Sequence, residues 1–392
     1  MRRLILVAHS VAMPITRHRR EEFKRRAIFL SKKFDTIIVS RDKDITKPIW
    51  EEDDYIKLLR IPASVRESYS CLKRVVREDD IVFCDGLGDF TPVLPIKMKM
   101  SMLKSLTVLR TLPAAMNAVY IQHLLGLEPR RGSLIEYTLM LKDKLLLTYN
   151  DKILCESLPL LVYARRLVKQ KERVFLLPRS LRYVFEMPRD ETWFSELVSE
   201  AASRLNIPEE DVRPIAYAAS LAIFKRPDVA IRAHKHVTEH EPNAVLFMAG
   251  GGPMMNKLKQ LVKRLKIEDN VVFLGWIPQY RAITLFSKSE ALIHPSLVEG
   301  WSRSVCEAMA VGCPVVSYAR ETVSYWMGGK GVVLIHSSNP IEYAKALIRI
   351  LSDDDFRLEL ANEAKEAMAP LVRCREEDRL QLIYKHVKSL AE

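Results

Sequence analysis

The sequence predicts an α/β protein made of two doubly wound domains, and three observations carry that prediction. Short apolar runs alternate with amphipathic helical patterns along the chain, the arrangement that builds parallel sheets with helices on both faces. The 392 residues suffice for two domains of ordinary size, each with its own core. Charge also divides the chain. Residues 1–180 hold 34 Lys and Arg against 21 Asp and Glu, residues 181–392 hold 27 against 28, and the net +12 therefore belongs to the first half.

In the first half the run Leu4 to Ala8 stops at His9, too short for the core of a signal peptide, and is expected to be a first buried strand. A helix over about Arg19 to Phe34 follows, then a strand at Thr36 to Ser40 and a charged hairpin or loop. Strands are expected at Ile81 to Cys84, Ala118 to Gln122 and Lys152 to Glu156, with a helix at Leu134 to Leu147 and an end near Pro178. Ligands of such a domain lie beyond the carboxyl ends of its strands. Those ends are His9-Ser10, Asp85 to Gly88, Gln122-His123 and Glu156-Ser157.

Residues 187–212 are expected to be a polar bridge containing one helix, Thr192 to Leu205. Next come a strand (Pro214 to Ala219), a helix (Val229 to Glu239), a strand (Ala244 to Ala249), the turn Gly250-Gly251-Gly252-Pro253, a helix (Met254 to Leu265) and a strand (Val271 to Leu274). The glycines allow backbone to approach a ligand closely, and Pro253 suits a first helical position. Asp353-Asp354-Asp355 after Ser352 matches a helix cap with acids that complement the dipole. Arg373 to Leu390 is charged and helical.

Composition narrows the function. No stretch approaches eighteen uninterrupted apolar residues, so no transmembrane helix is expected. The six cysteines (71, 84, 155, 306, 313 and 374) form no C-x2-C pair, which argues against a zinc site and a disulfide framework and for a reducing, cytoplasmic location. Of His234, His236 and His240 only the last two share a helix face, so no metal site is expected. The basic first half suits an anionic membrane surface, an acidic or phosphorylated acceptor, or nucleic acid. Because basic and aromatic residues do not interleave as single-strand binders require, nucleic acid is not the expected partner. Arg17, Arg19, Arg20, Lys24, Arg25, Arg26, Lys32 and Lys33 crowd one helical segment with Phe23, Ile28, Phe29 and Leu30. That pattern fits either a solvated helix face or a helix lying on anionic lipid, peripheral at the inner membrane face, where each near-surface cation contributes about 1 kcal/mol. Lys97 to Lys104, with Met98, Met100 and Met102 among its lysines, is a second such patch.

The densest chemistry lies in His294 to Val316, HPSLVEGWSRSVCEAMAVGCPVV. A strand (Ala291 to His294), a short loop, a helix from near Arg303 to Gly312 and a further strand (Pro314 to Tyr318) are expected. At such a strand-to-helix turn the first backbone N–H groups and the helix dipole favour a diphosphate. Glu307 can accept hydrogen bonds from hydroxyls such as a ribose diol, and Glu299 lies in the loop facing whatever the phosphates carry.

This stretch resembles the E-x7-E signature, followed by EAMA-x-G-x-PVV, of retaining glycosyltransferases with the GT-B fold, in particular glycosyltransferase family 4 (group 1). The resemblance implies two Rossmann-like domains facing a cleft. Residues 1–186 would bind the acceptor, 187–212 would link, 213–370 would bind the nucleotide sugar, and a helix in 371–392 would cross back onto the first domain. It implies metal-independent transfer of a sugar from a nucleotide-sugar donor, with no other cofactor, to a glycan, lipid-linked or small-molecule acceptor. By the same resemblance Glu299, Lys225 and His123 are the catalytic candidates, with Lys225 the phosphate lysine. Glu307, Gly251, Gly252, Trp276, Ser302, Arg303, Ser304 and Val305 are the donor-binding candidates.

The chain departs from the family in three places. Val11 to Thr16 replaces the usual Gly-Gly after the first strand, and Pro178-Arg179-Ser180 stands for the usual Pro-Asn-Gly. Ala219 and Ser220 stand where a second phosphate-binding cation, an arginine, is common; Arg226, Arg303 or Arg320 would have to replace it. The alternatives are a degenerate GT-B module that binds a nucleotide sugar or acidic polymer without turnover, or a nucleotide-sugar epimerase.

Overall fold

The computed structural model describes residues 2–9, 21–53, 56–110, 113–127, 132–299, 301–319 and 329–392. The chain forms two units. The first comprises Met1–Asn117, Leu134–Arg179 and Glu376–Glu392, and the second Ala118–Ser133 and Ser180–Arg375.

The first unit holds an eight-stranded sheet. Its strands are β1 (Leu4–His9), β2 (Thr36–Asp42), β3 (Ile49–Asp53), β4 (Ile56–Pro62), β5 (Ile81–Cys84), β6 (Lys104–Leu109), β7 (Lys152–Cys155) and β8 (Val174–Leu176). Their order is β3-β4-β2-β1-β5-β6-β7-β8, parallel except for the β3-β4 hairpin. Leu4, Leu6 and Ala8 of β1 share one core with Ile38, Phe83, Leu106 and Leu154 of the neighbouring strands. The last helix, Glu376–Ala391, completes that core with Ile383, Val387 and Leu390. Its Tyr384 ring meets Phe29 edge-on, at 6.3 Å between centroids.

Two expectations for the first half of the chain are corrected. Ala118 to Gln122 is not a strand; it lies in the helix Pro113–Leu124, which begins on a proline and two alanines. The strand of this region is β6, KSLTVL, which begins at Lys104, the last residue of the methionine-and-lysine segment read as a surface patch. Its interior polar residues are buried and satisfied: Ser105 Oγ donates to Asp151 at 3.1 Å and Thr107 Oγ1 donates to Asn150 at 2.7 Å. The basic helix is also less basic outside than expected. Of its cations Arg25, Lys32 and Lys33 are exposed, whereas Arg26 is buried. Arg17, Arg19 and Arg20 lie outside the described residues, as do Val11 to Thr16.

Arg26 belongs to an internal cluster at the carboxyl ends of β5 and β7. It donates to Asp85, which also accepts from Arg110 at 2.8 Å. Glu156, with no exposed surface, accepts from Arg179 at 2.9 Å and from Arg379. Burial alone would raise the Glu156 carboxyl, but the charges of Arg110, Arg179, Arg379 and Arg26 outweigh it and hold the group well below the usual carboxylate range.

The second unit holds six parallel strands, β9 (Arg213–Ala218), β10 (Ala244–Ala249), β11 (Val271–Gly275), β12 (Ala291–His294), β13 (Val315–Tyr318) and β14 (Val332–Ile335), in the order β11-β10-β9-β12-β13-β14. Every residue of β10 is buried, because alternate side chains enter two layers. Val245, Phe247 and Ala249 pack with the helices Glu191–Leu205, Gln279–Lys288 and Arg303–Val311. Ala244, Leu246 and Met248 pack with Pro227–Thr238, Met255–Leu265 and Pro340–Ser352. A strand covered on both faces carries a continuous apolar run for this reason. Residues read as a polar bridge add to the first layer through Phe194, Ala201 and Ala202. Asp353 caps Asp354–Arg373 by accepting from Phe356 N at 2.9 Å. Among the described residues no helix is long and apolar enough to cross a membrane.

His234, on Pro227–Thr238, is buried with Nε2 3.0 Å from the Asn270 carbonyl oxygen, while His236 reaches Glu239 at 3.3 Å. Burial lowers the His234 imidazole to about 4. The unfolded chain, titrating near 6.5, then binds more protons between pH 6.5 and 4, so stability falls as pH drops through that window; fully expressed, the difference is roughly 3 kcal/mol. Urea denaturation at pH 7 and pH 4.5 should show His234→Gln losing less stability on acidification than the parent. Equal losses would remove His234 as the source.

Candidate functional site

At the carboxyl ends of β9, β10 and β12, the strands on either side of the point where the order reverses, three loops of the second unit come together. The first runs from Ala219 to Arg226 and ends in a single 3-10 turn, Ile223–Lys225. Arg226 follows in the left-handed conformation (φ 49°) and holds Asp228 at 3.2 and 3.3 Å. The loop after β12 is tied to the first by Leu297 N donating to Phe224 O at 2.8 Å.

That joint brings Lys225 and Glu299 together. Lys225 Nζ donates to Glu299 Oε1, and the same oxygen lies 3.1 Å from His294 Nε2. His294 Nε2 also lies 3.0 Å from Ser302 Oγ. His294, Glu299 and Ser302 are all at or below 9% exposure, so this relay operates largely out of water. His294 is a site residue that sequence reasoning quoted without assigning. Its signal was its position, last in the strand and five residues before Glu299.

Ser302 is the N-cap residue of Arg303–Val311, yet its side chain makes no cap bond; its Oγ instead meets His294. The first intrahelical bond here is Cys306 N to Ser302 O, 3.1 Å. The amides of Arg303, Ser304 and Val305 precede it, at the positive end of the dipole. Arg303 is exposed, Ser304 half-buried and Val305 buried. Glu307, one turn further, is 3% exposed, and its Oε1 accepts from Tyr183 Oη and Gln279 Nε2, both at 2.6 Å. Tyr183 and Gln279 were not legible in the sequence, lying 124 and 28 residues from their acceptor.

The glycine turn does something other than expected. Gly250 has φ 142°, and a Cβ there would stand 1.9 Å from Ala219 O; one on Gly252 would stand 2.6 Å from Leu221 O. Both glycines make room for the Ala219 to Leu221 backbone, fastened by Leu221 N to Gly251 O at 3.0 Å and Met254 N to Leu221 O at 3.1 Å. A Cβ on Gly251 would meet nothing within 4 Å, which leaves it as the glycine able to face a ligand. Trp276, just past β11, is 80% exposed. His123 stands in the last turn of Pro113–Leu124 rather than at a strand end, and lines a cavity of about 280 Å³ with Ile223, Phe224, Met254 and Lys257. Of the cations considered as replacements for the missing arginine, Arg226 is engaged by Asp228, Arg303 is exposed, and Arg320 lies outside the described residues. Among the described residues no group of three His, Cys, Asp or Glu could hold a metal ion.

Residues 200–367 match the family model of glycosyl transferases group 1. An uncharacterized glycosyltransferase of Methanocaldococcus jannaschii is 30% identical over 162 residues, 40% of this chain and 40% of that protein. The D-inositol 3-phosphate glycosyltransferase of Corynebacterium aurimucosum is 29% identical over 175 residues, 43% of this chain and 41% of that protein. The poly(glycerol-phosphate) alpha-glucosyltransferase of Bacillus subtilis is 29% identical over 165 residues, 41% of this chain and 24% of that protein. The chain thus spans less than half the length of each of these relatives. Among solved structures, sucrose-phosphate synthase from Thermosynechococcus elongatus aligns over 100% of this chain and 99% of its own, with a TM-score of 0.70 at 16% identity. Anabaena HepE in complex with UDP and glucose aligns over 99% and 100%, with a TM-score of 0.68 at 12% identity. These likenesses show the GT-B fold, and with the family model they support a group 1 glycosyltransferase.

Gly250→Ala should destabilise the protein by about 1–3 kcal/mol, the usual range for overpacking, whereas Gly251→Ala should leave stability nearly unchanged. Thermal denaturation of the two variants checks this, and similar losses in both would refute the packing role.

Proposed function

We propose that this protein is a metal-independent, retaining glycosyltransferase of family 4 that takes a nucleotide-activated sugar as donor and works in the cytoplasm. One observation carries the reading: half-buried Lys225 joins buried Glu299, His294 and Ser302 in a relay beside the opening of the Arg303–Val311 helix. The pairing of a fixed cation with helix-terminal amides is what a leaving diphosphate needs.

As the bond from the anomeric carbon to the diphosphate lengthens, negative charge gathers on the phosphate and positive charge on the sugar ring. Lys225 and the amides of Ser304 and Val305 would stabilise the first, already oriented and partly removed from water, so that little reorganisation accompanies the reaction. Their charge compensates the diphosphate without a metal ion. Glu299 would accept hydrogen bonds from donor-sugar hydroxyls, with His294 and Ser302 fixing its orientation. Glu307 would hold the ribose, oriented by Tyr183 and Gln279, and Gly251 and Trp276 would border the nucleotide. His123 would reach the sugar from the cavity that it lines beside Phe224. Acceptor attack on the face the diphosphate leaves gives retention.

The excess positive charge of residues 1–180 favours an anionic acceptor. Two relatives are named for acceptors of that kind, inositol phosphate and poly(glycerol phosphate). A phosphorylated polyol, free or in a glycan or lipid-linked chain, is the acceptor class proposed.

Thermal-shift titration with UDP-, GDP- and ADP-sugars should show stabilisation by one base, lost in Glu307→Ala; no shift with any donor would sink the reading. For that donor, Lys225→Ala should lower turnover about a hundredfold, as loss of one charge-stabilising donor does, with little change in melting temperature. Undiminished turnover would reject the phosphate role, and donor binding without transfer or hydrolysis in the parent protein would mark a module that binds without catalysis.

A further inference from the structure

The second unit carries a larger hollow that the site above does not use. It has a volume of about 550 Å³, within the range of small-molecule pockets. Its walls are apolar, formed by Phe185, Val311, Ala369 and Val372, and the cations lining it are Arg189, Lys365 and Arg373. No acid lines it. It lies at the carboxyl end of Arg303–Val311, whereas the proposed phosphate-binding amides lie at the amino end of that nine-residue helix, roughly 13 Å away.

Several other arginines of the unit have carboxylate partners: Arg213 has Glu290, Arg281 has Asp190 and Arg357 has Glu290. Among the described residues none of Arg189, Lys365 and Arg373 has one. Arg189 is immobilised by donating to the Met187 and Val184 carbonyl oxygens at 3.2 and 3.0 Å, which orients its charge without neutralising it. Lys365 lies across Gly312; a Cβ there would meet its Cε at 2.2 Å, so its ammonium covers the negative end of the helix. Residues 181–392 carry 27 cations against 28 acids, so this surplus is local. Phe185 is 57% exposed. Apolar walls with three cations that lack a carboxylate partner complement one kind of molecule, with an apolar body and an acidic head.

We propose that this hollow binds a free single-chain anionic amphiphile, its hydrocarbon body against Phe185, Val311, Ala369 and Val372 and its acid group between Lys365 and Arg373, within reach of Arg189. The ligand is distinct from the donor and from the acceptor at the site above.

Isothermal titration calorimetry with dodecyl phosphate below its micelle concentration, on the full chain, tests this. One-site binding is expected. Affinity should fall at least about tenfold in the double variant Lys365→Glu, Arg373→Glu and be lost in Ala369→Trp, which fills the hollow. Inorganic phosphate and dodecyl maltoside should each bind at least about tenfold more weakly, since one lacks the body and the other the acid. An unchanged melting temperature in the variants shows that they fold, and the charge variant stands alone if Ala369→Trp does not. No binding of dodecyl phosphate, equal binding in folded variants, or equal binding of the maltoside would overturn the proposal.

Discussion

The first unit depends on a carboxylate that has no access to water. Glu156 at the end of β7 is tolerable there only because Arg179 and Arg379 donate to it while Arg110 and Arg26 stand within 4 Å. Such a buried ion cluster is not a large net source of stability, since desolvation offsets most of the attraction, but losing one member strands the others. Its value lies in which segments it ties. Arg179 is the last residue of the first unit before the long passage through Ser180–Arg375, and Arg379 stands just after the return at Glu376. One carboxylate therefore holds both ends of that passage on the first unit. The final helix is part of that unit's core, so the first unit is incomplete until the whole second unit has been traversed.

On the second unit the corresponding constraint is backbone against backbone. Gly250 and Gly252 admit the Ala219 to Leu221 segment so closely that no side chain could stand between them. The segment then leads through one 3-10 turn to Lys225, whose approach to Glu299 is set by the Leu297–Phe224 hydrogen bond. Position passes from a glycine turn to a cation without that cation's own side chain doing the positioning. The other half of the proposed phosphate site follows from a diverted hydroxyl. Ser302 serves His294 instead of capping its helix, so relay and helix opening share a residue and neither can move alone.

What the sequence disclosed and what it hid follow from the range over which each signal acts. β10 and β12 were legible residue for residue, because strands buried on both faces are uniformly apolar and bounded by turn residues. The helix ending at Gly312 was legible because that glycine has φ 85°, a conformation few other residues adopt. β6 was hidden since Ser105 and Thr107, polar by composition, are buried against Asp151 and Asn150, partners more than forty residues away. Arg26 looked like surface charge for the same reason: Asp85 and Glu156 are invisible in its local pattern. In the site the two glutamates could be found by spacing alone. Their orienting groups could not, because Tyr183 and Gln279 open other helices and become neighbours of Glu307 only through the fold.

The relay also bears on why a lysine and a glutamate would be kept in contact at a site proposed to bind phosphate. Partly removed from water, an ammonium favours a counter-charge beside it, and a buried carboxylate favours a donor. Paired, each holds the other in place. On the proposed reading, a diphosphate at the helix opening would offer Lys225 a stronger partner, while a sugar would bring neutral hydroxyls able to donate to the Glu299 carboxylate as the lysine turned away. His294, 3.1 Å from the same Glu299 oxygen that meets Lys225, would help hold that carboxylate in place. The exchange would ask for both parts of a donor at once, since phosphate alone would leave Glu299 short of hydrogen bonds and sugar alone would leave Lys225 in its pair. A site wired in this way would discriminate by requiring the two charges to be satisfied together, a sharper criterion than affinity for either piece.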